Sequence, residues 1–140
     1  MNGFEPQIVA FTCNWCSYAA ADLAGTSRMH YPSNVRIIRV MCSGMVDPIY
    51  VLRAFEAGFD GVLVAGCHIG DCHYISGNVK AQDRIATVRR LLHTLGLEDE
   101  RLRLEWISAS EGVGFAETVT EYVGQLKELG PSPFRKEAAA

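Results

Sequence analysis

Apolar and polar residues follow one another along the chain in a pattern that predicts four short strands. The first three are short, mainly apolar runs, and the third is apolar throughout, as expected of a strand covered on both faces. The fourth alternates, with Leu102, Leu104 and Trp106 on one face and the charged residues Arg101, Arg103 and Glu105 on the other. That alternation is typical of a half-exposed edge strand. The predicted strands cover residues 8–13, 35–42, 61–67 and 101–108.

Helical periodicity fills the intervals between these runs. Asp47 and Pro48 are a suitable N-cap and first-turn residue for the second helix, and Gly58 is a suitable end for it. The two later helices are longer and repeat apolar residues at helical spacing. The predicted helices cover about residues 15–23, 48–57, 78–95 and 115–129.

Strict alternation of strands and helices predicts an α/β fold. Right-handed crossovers between parallel strands give a single three-layer domain with a four-stranded parallel sheet in the order 2-1-3-4. We expect this domain to span residues 1–130. The last ten residues, 131–140, are expected to form an extended or disordered tail, or a segment that binds a partner.

Composition and charge narrow the classes of function. The chain has 140 residues with a net charge of −3, which gives no reason to expect nucleic acid, since that usually calls for a basic domain. No apolar run approaches the roughly 20 residues of a membrane span, and residues 1–6 lack the layout of a secretory signal. The expected location is therefore the cytoplasm, where clustered thiols more often bind metal or do redox work than form disulfides.

Five cysteines occupy the N-terminal half of the chain, an odd number that cannot pair completely within it. Three of them end the first three predicted strands, and two follow in the adjoining loops. Because the carboxyl ends of parallel strands share one rim of the sheet, all five sulfurs are expected to meet there. Four thiolates with one to spare favour a four-ligand metal site. The five are Cys13, Cys16, Cys42, Cys67 and Cys72.

Several interpretations of these cysteines compete. Single cysteines are often buried simply as small apolar residues. Cys13 and Cys16, spaced as a Cys-x-x-Cys pair before a helix, are compatible with a thioredoxin-type dithiol, but the other three cysteines would then have no role. Four thiolates also suit zinc. Structural zinc, however, usually stabilises domains that are too small to form a hydrophobic core. This chain is long enough to form such a core, so the residues favour an iron–sulfur cluster.

The neighbouring polar residues indicate binding rather than catalysis. His68 and His73 flank the loop between Cys67 and Cys72. Five thiols make histidine ligands of the Rieske kind unnecessary, so we expect the histidines to donate hydrogen bonds near the sulfurs or to contact a partner. The chain contains no nucleophile elbow, phosphate loop or carboxylate pair, and no convincing catalytic set. A non-catalytic relay of electrons is the economical interpretation.

At these motifs the sequence resembles the delta (iron–sulfur) subunit of the methyl-viologen-reducing, F420-non-reducing hydrogenases. The most specific stretches are FTCNWCSY, RVMCSG and GCHIGDCHY, and none departs from the family at a cysteine. The resemblance covers about residues 6–130. The matching segments are residues 11–18, 21–25, 39–44, 46–48, 66–74 and 104–112.

The resemblance implies a subunit that carries a 2Fe–2S cluster and does not itself catalyse a reaction. It would relay electrons from a hydrogenase, a formate dehydrogenase or another oxidoreductase module to the flavin subunit of a heterodisulfide-reductase-type complex, where flavin-based electron bifurcation occurs. The flavin and the catalytic metal would belong to those partners. The alternative that stays open is a cytoplasmic dithiol oxidoreductase or a zinc-stabilised interaction module.

The predicted strand order also predicts which cysteine is not a ligand. The order reverses between strands 1 and 3, which favours Cys13 and Cys16 on one iron and Cys67 and Cys72 on the other. Cys42, at the end of the outer strand 2, is then the expected non-ligand. We further expect a partner to cover the same rim, because its loops carry aromatic residues and methionine, which are enriched in interfaces. The docking residues predicted are Trp15, Tyr18, Met45, His68, Ile69 and Tyr74.

Overall fold

The computed structural model of the chain describes residues 4–14, 17–26, 32, 34–68 and 76–135. Strands and helices alternate along it, with a short 3₁₀ helix at Ser43–Met45 and another at Asp99–Arg101. The strands are β1 Ile8–Cys13, β2 Val35–Val40, β3 Gly61–Gly66 and β4 Leu102–Trp106. The helices are α1 Ser17–Thr26, α2 Pro48–Glu56, α3 Gly77–Thr94 and α4 Gly112–Leu129.

The four strands form one parallel sheet in the order β2-β1-β3-β4, so the predicted α/β class and strand order are confirmed. Ile8 of β1 lies opposite Val35 of β2 and Gly61 of β3, and the register continues without a break to the carboxyl ends. At that rim Gly66 of β3 lies opposite Trp106 of β4. The last residues of all four strands therefore lie along one edge.

Helices cover both faces of the sheet, because both faces of the two central strands are apolar. Ile8, Ala10, Leu63 and Ala65 pack against α1 and α4. On the opposite face, alternate residues of the same strands, such as Val9, pack against α2 and α3. Two cores separated by a sheet make the three layers that the strand pattern predicts.

Local signals placed the second helix correctly. The Asp47 carboxylate accepts a hydrogen bond of 2.9 Å from the backbone N–H of Ile49, and Pro48 is the first residue of α2. Gly58 has a φ of 102°, a left-handed conformation that glycine adopts without strain. The N-cap, the first-turn proline and the terminating glycine are thus where the sequence predicts them.

Arg101 corrects the predicted edge strand. It was expected on the exposed, charged face of a strand starting at residue 101, but β4 starts one residue later and Arg101 is fully buried in the 3₁₀ helix. Its guanidinium donates to the carbonyl oxygens of Asp60 at 3.0 Å and Gly130 at 2.9 Å, and pairs with Glu98. The planar guanidinium has enough N–H donors for Arg101 to be buried with its hydrogen bonds satisfied.

Residues 131–135 lie against the amino-terminal edge of the sheet. The buried carboxylate of Asp60 accepts hydrogen bonds from the backbone N–H of Ser132 at 2.9 Å and from Arg135 at 2.6 Å. It also accepts from the backbone N–H of Gln7 at 2.8 Å. The remainder of the predicted tail, 136–140, lies outside the described residues, and the predicted division at residue 130 stays a prediction.

Over the described ranges, none of the helices combines the length and the apolar character that crossing a membrane requires.

Candidate metal centre

Two cysteine sulfurs meet at the carboxyl ends of the central strands. Cys13 is the last residue of β1 and Cys67 directly follows β3. These strands are neighbours in the sheet, with Thr12 opposite Ala65, so the two side chains leave the sheet side by side. Their Sγ atoms are 3.8 Å apart, and the residues are only 1% and 4% exposed. Sequence positions 54 residues apart are thereby brought into sulfur–sulfur contact.

The separation of these two sulfurs has the size that a shared metal requires. Two thiolates bound about 2.3 Å from one tetrahedral metal lie about 3.8 Å from each other. Cys13 Sγ also lies 3.7 Å from the carbonyl oxygen of Met41, in the turn after β2. The Cys13 sulfur therefore contacts residues that follow two other strands, Cys67 after β3 and Met41 after β2.

Of the four predicted ligands, the described residues include two, Cys13 and Cys67. Within the described part of the chain, no group of three or more histidine, cysteine, aspartate or glutamate side chains comes together as a metal site. Cys16 and Cys72, the other two predicted ligands, lie outside that part. The donor set that is visible, two adjacent buried sulfurs, fits a thiolate-bound metal or iron–sulfur cluster.

Cys42 lies at the same rim but in a different local setting. The sequence predicts that it ends the second strand, whereas β2 ends at Val40 and Cys42 is the N-cap of the 3₁₀ helix Ser43–Met45. It is 3% exposed, and its Sγ accepts a hydrogen bond of 3.4 Å from the backbone N–H of Gly44. A bond of this kind stabilises a capping thiol and a metal thiolate alike, so it leaves the predicted non-ligand role open.

Asn78 holds the backbone that carries Cys67. It is the second residue of α3 and fully buried, and its side-chain amide donates to two successive carbonyl oxygens. The distances are 2.9 Å to Cys67 O and 2.8 Å to His68 O. Its own side-chain oxygen accepts from the backbone N–H of Val79 at 2.9 Å. The backbone of Cys67 and His68 is thus tied to the start of α3.

His68 is tied to the other side of the rim. Its Nε2 contacts a carboxylate oxygen of Glu111, the residue before α4, and that oxygen also accepts a 2.9 Å hydrogen bond from the backbone N–H of Ser108. The Ser108 N–H is the largest cause, and the His68 ring the second, of a lowered pKa of the Glu111 carboxyl, from 4.5 to about 2. A carboxylate is therefore present beside His68 throughout the ordinary pH range.

The turn between Cys42 and Met45 packs tightly against its neighbours. Ser43 is 1% exposed, and a Cβ added to Gly66 would lie 2.6 Å from its hydroxyl oxygen. A Cβ added to Gly44 would lie 2.6 Å from the carbonyl oxygen of Gly77 at the start of α3. Glycine is therefore needed at both positions for the turn to reach the rim.

The residues predicted to dock a partner are only partly described. Met45 is 60% exposed beside the turn that follows β2. Tyr18 is half-buried, with the Arg39 guanidinium 5.3 Å from the centre of its ring. The His68 side chain is 43% exposed. The other predicted members, Trp15, Ile69 and Tyr74, lie outside the described residues, as does His73.

Three side chains at this rim were not predicted from the sequence. Glu111 carried a readable signal, because Ser108 and Glu111 form the Ser-x-x-Glu pattern in which a glutamate bonds back to the serine N–H. Asn78 and Ser43 carried none, since a buried asparagine or serine has no distinctive spacing. Their roles follow only from the packing of α3 and of the 3₁₀ helix on the strand ends.

Comparison with known proteins decides the family. The model of a protein family described as the delta subunit of methyl-viologen-reducing hydrogenase matches residues 8–130. The chain belongs to this family. It is 52% identical over 133 residues to the iron–sulfur subunit of the F420-non-reducing hydrogenase of Archaeoglobus profundus, covering 95% of this chain and 97% of that one. The corresponding iron–sulfur subunit of the vhc hydrogenase of Methanococcus voltae is 50% identical over 133 residues, which are 95% of this chain and 92% of its own.

A second kind of relative contains this delta subunit module within a longer chain. One subunit of the ferredoxin:CoB-CoM heterodisulfide reductase of Methanosarcina mazei is 54% identical over 126 residues, which are 90% of this chain. The matched region is only 16% of the Methanosarcina protein, so this chain spans a small part of that relative. The delta subunit module thus occurs both as a separate polypeptide and as part of a larger one.

Proposed function

We propose that this delta subunit is an electron-transfer protein that binds one 2Fe–2S cluster through four of its five cysteines. The observation that carries the proposal is the contact between the buried sulfurs of Cys13 and Cys67, 3.8 Å apart at the carboxyl rim. Cysteine thiolates are the usual ligands of such clusters. The relatives named iron–sulfur subunits, at 52% and 50% identity, support the same conclusion.

The proposed ligands are Cys13, Cys16, Cys67 and Cys72, with Cys42 as the cysteine that does not bind iron. The strand order favours Cys13 and Cys16 on one iron and Cys67 and Cys72 on the other. The structure supplies a competing arrangement, because sulfurs at 3.8 Å have the separation of two ligands on the same iron. Both arrangements use the same four cysteines.

The protein contributes burial and orientation to this chemistry. A bound 2Fe–2S cluster supplies a site that takes up one electron and gives up one electron. Cys13 and Cys67 are held by adjacent strands and excluded from water, and Asn78 fixes the backbone at Cys67. A rigid, dry ligand shell of this kind sets the reduction potential through hydrogen bonds and solvent exposure.

We infer that the partners are other oxidoreductase subunits. A module found both as a hydrogenase subunit and within a longer heterodisulfide reductase chain is suited to contact between those two kinds of protein. The proposed acceptor is a flavin-containing subunit of the heterodisulfide reductase type, in a complex that bifurcates electrons. The proposed donor is a hydrogenase, a formate dehydrogenase or a similar oxidoreductase.

The carboxyl rim is the proposed docking surface, because an electron relay has to lie close to both donor and acceptor. Met45 is the most exposed large apolar side chain among the described residues, and it lies three residues after Cys42. Methionine and aromatic side chains are enriched in interfaces. Met45 therefore offers an adaptable apolar contact at the end of the short 3₁₀ helix that Cys42 caps.

Metal analysis of anaerobically purified protein tests the cluster. We expect about two iron and about two acid-labile sulfide per chain, with the visible colour of a 2Fe–2S centre. Single serine replacements should abolish the cluster at Cys13, Cys16, Cys67 and Cys72 and spare it at Cys42. Stoichiometric zinc without iron would support the interaction module, and a metal-free, reversibly oxidised dithiol would support the oxidoreductase. A cluster lost in Cys42→Ser but kept in Cys16→Ser would contradict the ligand assignment.

A second experiment tests the docking surface. Met45→Asp and Tyr74→Asp should keep the cluster but weaken assembly with the partner subunits and slow electron transfer between them. Leu95→Asp is the matched control, because Leu95 is a 49% exposed apolar residue just after α3, at the edge remote from the rim. Rim variants that assemble and transfer electrons as well as Leu95→Asp would exclude docking through this surface.

A further inference from the structure

The rim contains one buried hydroxyl that no described residue satisfies. Ser43 is 1% exposed, and its Oγ has no hydrogen-bond partner in the described part of the chain. We propose that the Ser43 hydroxyl donates a hydrogen bond to a sulfur of the iron–sulfur centre and raises its reduction potential. This inference rests on the proposed function, since it requires the centre to be present.

Ser43 lies among the elements that supply the cysteines. It directly follows Cys42 and is the first residue of the 3₁₀ helix after β2. Its hydroxyl also packs over Gly66, the last residue of β3 and the neighbour of Cys67, where a Cβ would approach the Ser43 Oγ to 2.6 Å. The side chain therefore packs over the end of β3, in the space that the missing Gly66 side chain leaves open, between the turn that begins at Cys42 and the strand that leads to Cys67.

The backbone of Ser43 is held in place from both sides. Cys42 caps the 3₁₀ helix in front of it through the Gly44 N–H. Gly44 packs against the first turn of α3 so closely that a Cβ would lie 2.9 Å from the Gly77 Cα. The Arg84 guanidinium additionally donates to the Gly44 carbonyl oxygen. Because these contacts hold the turn in place, the Ser43 hydroxyl cannot move to solvent and hydrogen-bond to water there.

Chemistry then limits what the hydroxyl can bind. Buried polar groups in folded proteins nearly always have a hydrogen-bond partner, and a hydroxyl has one O–H to donate. The Glu111 carboxylate at this rim already contacts His68 and the Ser108 N–H, so the other anionic acceptors expected there are the sulfurs of the centre. Reduction adds negative charge to those sulfurs, so a donor stabilises the reduced form more than the oxidised form and raises the potential. The alternative partner is an ordered water, which would leave the potential to other groups.

The test compares Ser43→Ala with Ser132→Ala in the full chain loaded with its cluster. Ser132 is a matched control, because it is also a buried serine but lies beside Asp60 at the opposite edge of the sheet. The readouts are iron and sulfide content, the midpoint potential, and the coupling of exchangeable protons to the reduced cluster in H₂O and D₂O. Ser43→Ala should keep its iron, lose one exchangeable coupling and show about a tenfold lower reduced-to-oxidised ratio at a fixed potential. For one electron this corresponds to a midpoint about 59 mV more negative.

The outcomes separate this inference from the proposed function. Wild-type protein that binds no iron overturns both. A Ser43→Ala protein with its cluster, its potential and its proton couplings unchanged overturns only the hydrogen bond and indicates a water partner. If Ser43→Ala does not bind the cluster, the same measurements are made on Ser43→Gly. Failure of both variants to hold a cluster that Ser132→Ala holds would also overturn the inference, because a tuning donor does not hold the metal.

Discussion

Asn78→Ala is the substitution that most directly tests how the fold holds the Cys67 backbone. The wild-type side chain donates to Cys67 O at 2.9 Å and to His68 O at 2.8 Å from a fully buried position. Alanine preserves the helix, since it has the best helix propensity. What it removes is the pair of donors that two neighbouring carbonyl oxygens require.

The size of the effect follows from the burial of those two acceptors. A buried polar group left without its partner costs about 1–3 kcal/mol. The bond to Cys67 O is buried and the bond to His68 O is only partly buried, so water can replace the second donor more readily than the first. We therefore expect a total loss of about 2–4 kcal/mol in the free energy of unfolding. For a chain of this size that lowers the Tm by roughly 5–15 °C.

The assay is urea unfolding of metal-free protein, so that cluster binding does not contribute to the measured stability. Asn34→Ala is the matched control, because Asn34 also donates two hydrogen bonds of 2.9 Å, to Glu5 and to Pro6 O, but on a more accessible surface. The control should lose no more than about 1 kcal/mol. Asn78→Asp should be at least as damaging as Asn78→Ala, since a carboxylate faces two carbonyl oxygens without a donor. Equal stability of the alanine variants at positions 78 and 34 would refute the reasoning.

Three further substitutions and one titration test other parts of the structure. Arg101→Met should lower the free energy of unfolding by about 3–5 kcal/mol in urea, because it leaves the carbonyl oxygens of Asp60 and Gly130 without this donor and removes the cation that pairs with Glu98; a loss below about 1 kcal/mol would contradict the buried network. Gly44→Ala should destabilise by about 1–3 kcal/mol, because its Cβ meets the Gly77 backbone at 2.6 Å, and a neutral result would show that this turn can move. In NMR titration the Glu111 carboxyl should protonate near pH 2 rather than 4.5, so its contact with His68 persists as the pH falls to about 2. His68→Ala should raise that pKa only in part, because the Ser108 N–H is the larger cause, and a midpoint near 4.5 in wild type would contradict the contact.

Much of the fold was predictable because its signals are local. The continuous apolar run of β3 requires cover on both faces, and alternating strands and helices then leave few topologies. Asp47, Pro48 and Gly58 marked the limits of α2 through their own backbone preferences. The end of β2 was predicted two residues too late, because Met41 and Cys42 are apolar although they already belong to the turn. Hydropathy does not distinguish the end of a strand from a buried turn that follows it.

The positions of site residues could be predicted only where a place in a strand determines where the residue lies in the sheet. Strand ends in a parallel sheet share a rim, which is why the proximity of Cys13 and Cys67 followed from the strand order. Arg101 shows the opposite case. Alternation placed it on an exposed face, whereas its partners are carbonyl oxygens at residues 60 and 130, which are distant in sequence and unreadable as a motif. Side-chain to backbone contacts over such separations carry no periodic signal.

At the rim, the strands hold the two sulfurs, and residues at the starts of two helices hold the backbone and side chain of His68. The strands β1 and β3 fix the Cys13 and Cys67 sulfurs by register, and register alone would leave the chain after Cys67 unconstrained. The first turn of α3 supplies Asn78 to the Cys67 and His68 carbonyl oxygens, and the residue before α4 supplies Glu111 to the His68 ring. The start of α3 and the residue before α4, on opposite faces of the sheet, therefore both hold the Cys67–His68 segment. His68 is therefore held through both its backbone and its side chain, so the residue that follows Cys67 keeps a fixed position at the rim.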